Sequence, residues 1–282
     1  MKTAIITDST SYIPETLRKE WNIYMIPLNV VIGGESFKEE MDITAEQFYE
    51  EVQNEQKLPT TSQPSIGQFV ELFEDLSKEY DAAICILLSS GISGTYQTSV
   101  AAGKMVDGLE VFSYDSEISC AAQGFYVLAA SRMAREGMEP QNILKKLDEL
   151  KATLRAYFMV DDLDHLKRGG RLSGAQAFVG NLLQVKPLLH FENKVIVPFE
   201  KIRTKKRALK RIEQLFSEDY QKGIPLQAAI IHANRPQEAS DWMEELKNQY
   251  PETEFQISYF GPVIGTHLGE GALGMTWAKK LF

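Results

Sequence analysis

"DAAICILLSSGISGTYQT", residues 81–98, begins as an apolar run rich in strand-forming residues and ends where a helical pattern begins. Gly91 and Gly94 lie between the two patterns and predict a tight turn. A turn in this position directs backbone N–H groups and the positive end of the helix toward whatever occupies it. The stretch therefore predicts a strand, a turn that suits an anion, and a helix.

Three interpretations of this turn remain open from its residues alone. It is not a Walker phosphate loop, because no Gly-Lys-Ser/Thr follows, and its glycines stand three apart, unlike the G-x-G-x-x-G dinucleotide fingerprint. A nucleophile elbow, G-x-S-x-G, would use Ser93, but Thr95 occupies the position of the last glycine. Ser93 could otherwise cap the helix or bind an anion.

Strands and helices alternate on both sides of this unit. The sequence predicts strands over 2–7 and 109–116 and helices over about 118–137 and 141–154. Such alternation favours parallel crossovers and a sheet covered on both faces. The pattern starts again after Arg155 with hairpin-like strands around Glu192-Asn193. We therefore predict two α/β domains: residues 1–155 with a largely parallel sheet flanked by helices, and residues 156–282 with a mixed sheet.

Composition narrows the class of protein. The net charge of −9 argues against a general nucleic-acid binder, which needs clustered Lys and Arg. No run approaches the 18 or so apolar residues of a membrane span. Cys85 and Cys120 are the only cysteines, so no disulfide framework is available, and the scattered histidines form no metal motif. These features favour a soluble cytoplasmic protein without a metal cofactor.

Two further stretches carry polar residues near glycine or proline. "LPTTSQPS" (58–65) is predicted to be a loop with hydroxyls at Thr60, Thr61 and Ser62, between helices opened by capping boxes at Thr44–Gln47 and Ser65–Gln68. "GPVIGTHLGEGALG" (261–274) contains five glycines around His267. Such backbone would pack little around the ring and would let it reach a cleft.

A basic run stands out in this acidic chain. Residues 201–211, "KIRTKKRALKR", contain seven basic residues and no acidic one. On a helix, Arg203, Arg207, Lys210 and Arg211 would share much of one face. A solvated face is the ordinary explanation, and docking to an acidic protein or a phosphate-bearing ligand is the alternative.

Six stretches, in this order, resemble the DegV family, the fatty-acid-binding subunits of the bacterial fatty acid kinase system. The likeness runs over essentially the whole chain, and no single motif decides it. The stretches are "DST" (8–10), "TSQPS" (61–65), "SSGISGTY" (89–96), "RGGRLS" (168–173), "KPLL" (186–189) and "GPVIGTHLGEGALG" (261–274).

The resemblance implies a non-catalytic carrier that buries a long-chain fatty acid between its two domains. The family's carboxylate-binding threonine, serine and histidine correspond to Thr61, Ser93 and His267. The neighbours expected in the same loops are Ser62, Gly94, Thr95, Gly265 and Thr266. The bound acid would be presented to a separate ATP-dependent kinase, which forms the acyl phosphate, and membrane contact would be transient at most. Arg171 and Arg203 correspond to candidate kinase-docking arginines.

One residue departs from the family pattern, and two rival functions stay open. Glu270 stands where relatives commonly have proline in Gly-Pro-Gly, so it could orient His267 or repel the head group. A serine hydrolase or acyltransferase using Ser93 and His267 is the main alternative, with Glu270 as the sole candidate acidic partner. A phosphotransferase with Asp8 as nucleophile is the other, although no second carboxylate lies nearby in sequence to bind magnesium.

Overall fold

The first sheet consists of four parallel strands. The computed structural model describes residues 1–53, 55, 57–174 and 186–282. The strands of this sheet are β1 (Thr3–Asp8), β2 (Ile23–Ile26), β6 (Ala82–Leu87) and β7 (Glu110–Asp115). Their order is β2-β1-β6-β7, and every neighbouring pair is parallel, as the alternation of strands and helices predicted.

Helices cover both faces of this sheet. Ile6 and Cys85 pack on one face against α3 (Ile66–Leu76) and α4 (Thr95–Gly103). Ile5 and Ile84 belong to the core on the other face, which contains α5 (Cys120–Arg135) and α6 (Pro140–Thr153). Because both faces are buried, β6 is apolar throughout and β1 has the unbroken apolar centre Ala4–Ile6, and neither strand alternates between apolar and polar residues. This arrangement explains the uninterrupted runs from which the strands were predicted.

The capping boxes are confirmed at two helix starts. α1 (Glu15–Trp21) follows Pro14, whereas α2 (Ala45–Val52) begins after Thr44, whose hydroxyl accepts from the Gln47 backbone N–H. α3 begins after Ser65 in the same way. Each cap satisfies a backbone donor that the first helical turn leaves free.

A small antiparallel sheet lies beside the first one. It contains β3 (Asn29–Ile32), β4 (Glu35–Lys38) and β5 (Thr60–Ser62) in the order β4-β3-β5. The turn at Gly33-Gly34 has two positive φ angles and joins β3 to β4 as a hairpin. The prediction that 58–65 is loop throughout is wrong at β5. This strand has no hydrophobic pattern, and its pairing with β3 is what makes it a strand.

The second sheet is mixed, as predicted. Its strands are β8 (Arg155–Met159), β9 (Lys186–Glu192), β10 (Val195–Ile202), β11 (Leu226–His232), β12 (Glu254–Tyr259) and β13 (Leu273–Lys279). In the order β10-β9-β8-β13-β11-β12, only the β11–β12 pair is parallel. α8 (Lys205–Tyr220) and α9 (Pro236–Gln249) pack on one face through Phe216 and Trp242.

The largest apolar core lies between the two large sheets. One continuous cluster includes Ile84 from β6, Phe125 from α5, and Phe158 and Ile231 from β8 and β11. Two short helices, α7 (Asp164–Arg168) and α10 (Pro262–Leu268), contact each other beside this core. All strands of the second sheet follow Leu154. The division into domains at residue 155 stays a prediction.

Candidate functional site

A cavity of about 300 Å³ lies within the shared core. Strands of the second large sheet, β5 of the small sheet, the segment that follows β6, and helices α5 and α10 line it. Its interior is apolar, with walls that include Leu88, Phe158, Ile231, Phe260, Val263 and Met275. Its polar lining residues include Thr61, Gln63, Ser93, Arg171 and His267, which are partly or fully exposed to solvent, whereas most of the apolar lining is buried. The cavity therefore combines a polar, solvent-accessible mouth with a buried apolar interior.

Thr61 and His267 are in direct contact at this mouth. Thr61 reaches it from β5, where it pairs with Val30, and His267 reaches it from α10. The Thr61 Oγ1 and His267 Nε2 atoms are 2.9 Å apart, although the residues are 206 positions apart in sequence. The structure thus brings together two residues that were predicted separately.

Ser93 lines the same cavity from the turn after β6. Its backbone N–H donates to the Ser89 carbonyl at 3.2 Å, and its Oγ lies 2.9 Å from Thr95 Oγ1. Gly94, not Ser93, is the N-cap of α4. A β-carbon at position 94 would lie 2.2 Å from Gln63 Oε1, so this glycine allows the Gln63 side chain to pack against the turn. The hydroxyl-rich segment 60–63 and the Ser93 turn are therefore adjacent.

His267 lies in a helix and not in the loop that its glycine-rich context predicted. Pro262 starts α10 after the N-cap Gly261, and Gly269 follows its last residue. Burial lowers the pKa of His267 to about 4, and the positive charges of Arg171 and then His165 add to this effect. The ring is therefore neutral near pH 7. Its Nδ1 atom is buried and makes no hydrogen bond to any residue that the structure describes.

Glu39 holds the start of α10 in place. Its buried carboxyl accepts from Ser9 Oγ at 2.6 Å, from the Tyr12 hydroxyl at 2.9 Å and from the Val263 backbone N–H at 2.7 Å. Burial raises the pKa of Glu39 to about 8. These bonds join the N-terminal part of the chain to the helix that carries His267. Nothing in the sequence patterns pointed to this residue.

The two predicted docking arginines occupy different places. Arg171 is half-buried at the cavity mouth, where its Nε donates to the Ile92 carbonyl at 3.1 Å and its Nη1 to the Gly169 carbonyl at 2.5 Å. Arg203 is exposed and lines a surface groove that also includes Arg207. Arg171 thus belongs to the mouth of the cavity, a position that sequence reasoning missed.

The remaining predicted neighbours divide into two groups. Ser62 lines the cavity, but Gly94, Thr95, Gly265 and Thr266 do not. Thr95 is buried against Ser93, and Thr266 Oγ1 donates to the Pro262 carbonyl at 2.8 Å, so both support the residues beside them.

Glu270 is engaged away from His267. Its carboxylate accepts a hydrogen bond from Asn234 Nδ2 at 3.1 Å and forms an ion pair with Arg235. The expectation that Glu270 orients His267 or meets a head group therefore has no support in these contacts. Asp8 is fully buried and accepts from Thr10 and from the Leu88 backbone N–H.

No helix within the described ranges is long and apolar enough to cross a membrane. Among the same residues, no group of three or more His, Cys, Asp or Glu side chains could hold a metal ion. The described site accordingly consists of a cavity, hydroxyls, a neutral imidazole and one guanidinium.

Comparisons with known proteins agree with the resemblance noted in the sequence. A family model described as "Uncharacterised protein, DegV family" matches residues 2–280. Protein DegV of Bacillus subtilis is 59% identical over 281 residues, which are 99% of this chain and 100% of that protein. A DegV domain-containing protein of Listeria innocua is 49% identical over 99% of each chain.

Solved structures match over the same extent. The crystal structure of DegV from Bacillus subtilis, described as a fatty acid binding protein, superposes with a TM-score of 0.95 at 59% identity, covering 99% of this chain and 100% of that one. A fatty acid binding DegV family protein from Streptococcus agalactiae gives a TM-score of 0.91 at 34% identity over 99% of each chain.

Proposed function

This chain belongs to the DegV family, and we propose that it is a carrier that buries a long-chain fatty acid in the cavity of its shared core. The observation that carries the proposal is the form of this cavity, whose apolar interior ends at a mouth lined by Thr61, Ser93 and His267. An amphiphile with one polar end matches that form. The descriptions of the similar solved proteins support a fatty acid as this amphiphile.

The carboxylate would lie at the mouth and the acyl chain in the interior. Hydrogen bonds to a charged group contribute roughly 1.5–3 kcal/mol each, so one each from Thr61 and Ser93 would contribute several kcal/mol. Each buried methylene contributes about 0.8 kcal/mol, so a chain of about a dozen contributes nearly 10 kcal/mol. The tail therefore supplies most of the affinity, and the polar residues fix the position of the head group.

The contacts at the mouth favour binding over nucleophilic catalysis. A serine nucleophile needs a histidine base within hydrogen-bond reach, and the base needs a partner that orients it. Here the imidazole Nε2 contacts Thr61, Ser93 contacts Thr95, and no described residue accepts from or donates to Nδ1. These contacts support a carrier with no chemistry of its own.

In the second part of the proposal, a separate ATP-dependent kinase phosphorylates the bound carboxylate. An oxygen of the acid would attack the γ-phosphorus of ATP, ADP would leave, and the acyl phosphate would stay bound in the cavity. Arg171 at the mouth would face the anionic head group. The exposed groove around Arg203 and Arg207 is the candidate docking surface, because a basic patch on an acidic protein suits an acidic partner.

Mass spectrometry tests the carrier proposal. The purified protein is extracted with organic solvent, and both the extract and the intact chain are analysed. We expect a non-covalent fatty acid in the extract and an unmodified chain. An acyl adduct on Ser93 would overturn the proposal in favour of the hydrolase.

A variant tests the docking surface. Arg203→Ala should retain the affinity for fatty acid and lose most ATP-dependent acyl phosphate formation with the cognate kinase. Lys19→Ala, at an exposed residue of α1 that forms an ion pair with Glu15, is the control. If turnover is the same in both variants, Arg203 has no role in docking.

A further inference from the structure

Gly169 lies against the imidazole of His267. A β-carbon at position 169 would lie 2.3 Å from His267 Nδ1 and 3.0 Å from Cε1. Gly169 follows the last residue of α7 and has a φ of −71° and a ψ of −10°, which any residue adopts. The backbone conformation therefore does not require glycine here, whereas the contact with His267 does. The adjacent Gly170 differs, because its φ of +68° favours glycine in its own right.

Two hydrogen bonds hold the backbone of Gly169. The Gly169 carbonyl accepts from Arg171 Nη1, and the Gly169 backbone N–H donates to the His165 carbonyl at 2.9 Å. A shift of Gly169 away from the ring would strain these bonds. His267 Nδ1 therefore faces a Cα whose backbone is hydrogen-bonded on both its N–H and its carbonyl.

This contact distinguishes the two neutral tautomers of the imidazole. The α-hydrogen of glycine that replaces a side chain points along the direction of the missing β-carbon, and so toward Nδ1. If Nδ1 is unprotonated, its lone pair can accept a weak hydrogen bond from this C–H group. An N–H group at Nδ1 would direct its hydrogen against the glycine hydrogen and would find no acceptor among the described residues. The contact therefore favours the tautomer with its proton on Nε2.

We propose that Gly169 is a positioning residue that fixes His267 as the Nε2–H tautomer. In this tautomer Nε2 donates to Thr61 Oγ1, 2.9 Å away, so the Thr61 hydroxyl proton is free to be donated into the cavity mouth. His267 thus donates to Thr61, and Thr61 in turn donates to an acceptor at the cavity mouth. That the acceptor is a carboxylate rests on the proposed function. The tautomer itself does not depend on it.

NMR of the full chain labelled with ¹⁵N-histidine tests the tautomer directly. The protein has four histidines, and the His267 signals are assigned by their loss in His267→Gln. Near pH 7 we expect Nδ1 to resonate as an unprotonated ring nitrogen and Nε2 as a protonated one, with the two-bond coupling pattern of the Nε2–H form. Signals of an Nδ1–H form would overturn the proposal.

A pair of glycine variants tests the positioning role. Gly169→Ala should displace the ring and change the ¹⁵N pattern of His267. It should also raise the dissociation constant for palmitate about tenfold or more, which is the change expected when one hydrogen bond to a charged group is lost. Gly67→Ala, in α3 with no atom closer than 3.9 Å to the new carbon, is the matched control and should change neither. An unchanged ¹⁵N pattern in Gly169→Ala would mean that the glycine has only a structural role.

The two measurements separate failure of this inference from failure of the proposed function. A wild-type protein with the Nε2–H pattern but no affinity for palmitate confirms the tautomer and contradicts the carrier. A protein that binds palmitate with an Nδ1–H pattern supports the carrier and contradicts the inference.

Discussion

Replacing Thr61 with valine removes the hydroxyl between His267 and the cavity while changing the side-chain volume little. In the carrier, this hydroxyl would donate one hydrogen bond to a carboxylate. Losing a bond to a charged group costs roughly 1.5–3 kcal/mol. At about 1.4 kcal/mol per tenfold, we expect the dissociation constant for palmitate to rise about 10- to 150-fold. The apolar tail contacts stay, so binding remains measurable.

The same substitution should also reduce stability without ligand. His267 Nε2, 2.9 Å from Thr61 Oγ1, would lose that partner. An unsatisfied buried polar group costs about 1–3 kcal/mol, and His267 is only partly buried, so we expect the lower end of that range. Urea unfolding of the lipid-free protein measures this difference, and displacement of a fluorescent fatty acid by palmitate measures affinity.

Thr253→Val provides the matched control. Thr253 Oγ1 is buried and has no hydrogen-bond partner among the described residues, so removing it breaks no bond. We expect unchanged affinity for palmitate and equal or greater stability. If Thr61→Val binds palmitate as tightly as Thr253→Val does, Thr61 does not contact the head group, and the placement of the carboxylate at the mouth is wrong.

Three further outcomes follow from the contacts of Gly91, Glu39 and Glu270. A β-carbon at Gly91 would lie 2.4 Å from the Lys194 carbonyl oxygen, so Gly91→Ala should lower the free energy of unfolding by about 1–3 kcal/mol in urea titrations, and no change would show that the turn yields freely. Burial raises the pKa of Glu39 from 4.5 to about 8, so the folded state binds more protons than the unfolded state between these values. Stability should therefore fall as pH rises from about 4.5 to 8, and this fall should be weaker in Glu39→Gln; parallel pH profiles of the two proteins would contradict the shift. Glu270→Gln should change the affinity for palmitate less than about twofold, because Glu270 forms an ion pair with Arg235 and not with His267, and a tenfold change would place its charge at the head group.

Much of the fold was predictable because its local signals agree with the tertiary structure. β6 is apolar throughout, and β1 has an unbroken apolar centre, because helices cover both faces of their sheet. The caps at Thr44 and Ser65 are local motifs that need no distant partner. β5 was missed because its three polar residues form a strand only through pairing with β3, about 30 residues earlier. A short polar strand of this kind has no alternation of apolar and polar residues by which the sequence would reveal it.

The candidate site was predictable only in part, and its glycines show why. A glycine at positive φ, such as Gly33, accompanies a turn that sequence patterns reveal. Gly94 and Gly169 have ordinary φ angles, and in each case a distant side chain, Gln63 or His267, occupies the space of a β-carbon. One sequence contains no information on which of these two reasons applies. A glycine whose missing β-carbon makes room for a distant side chain is therefore found from the structure. In this way Gly169 links the "RGGR" segment to His267, about 100 positions later in the chain.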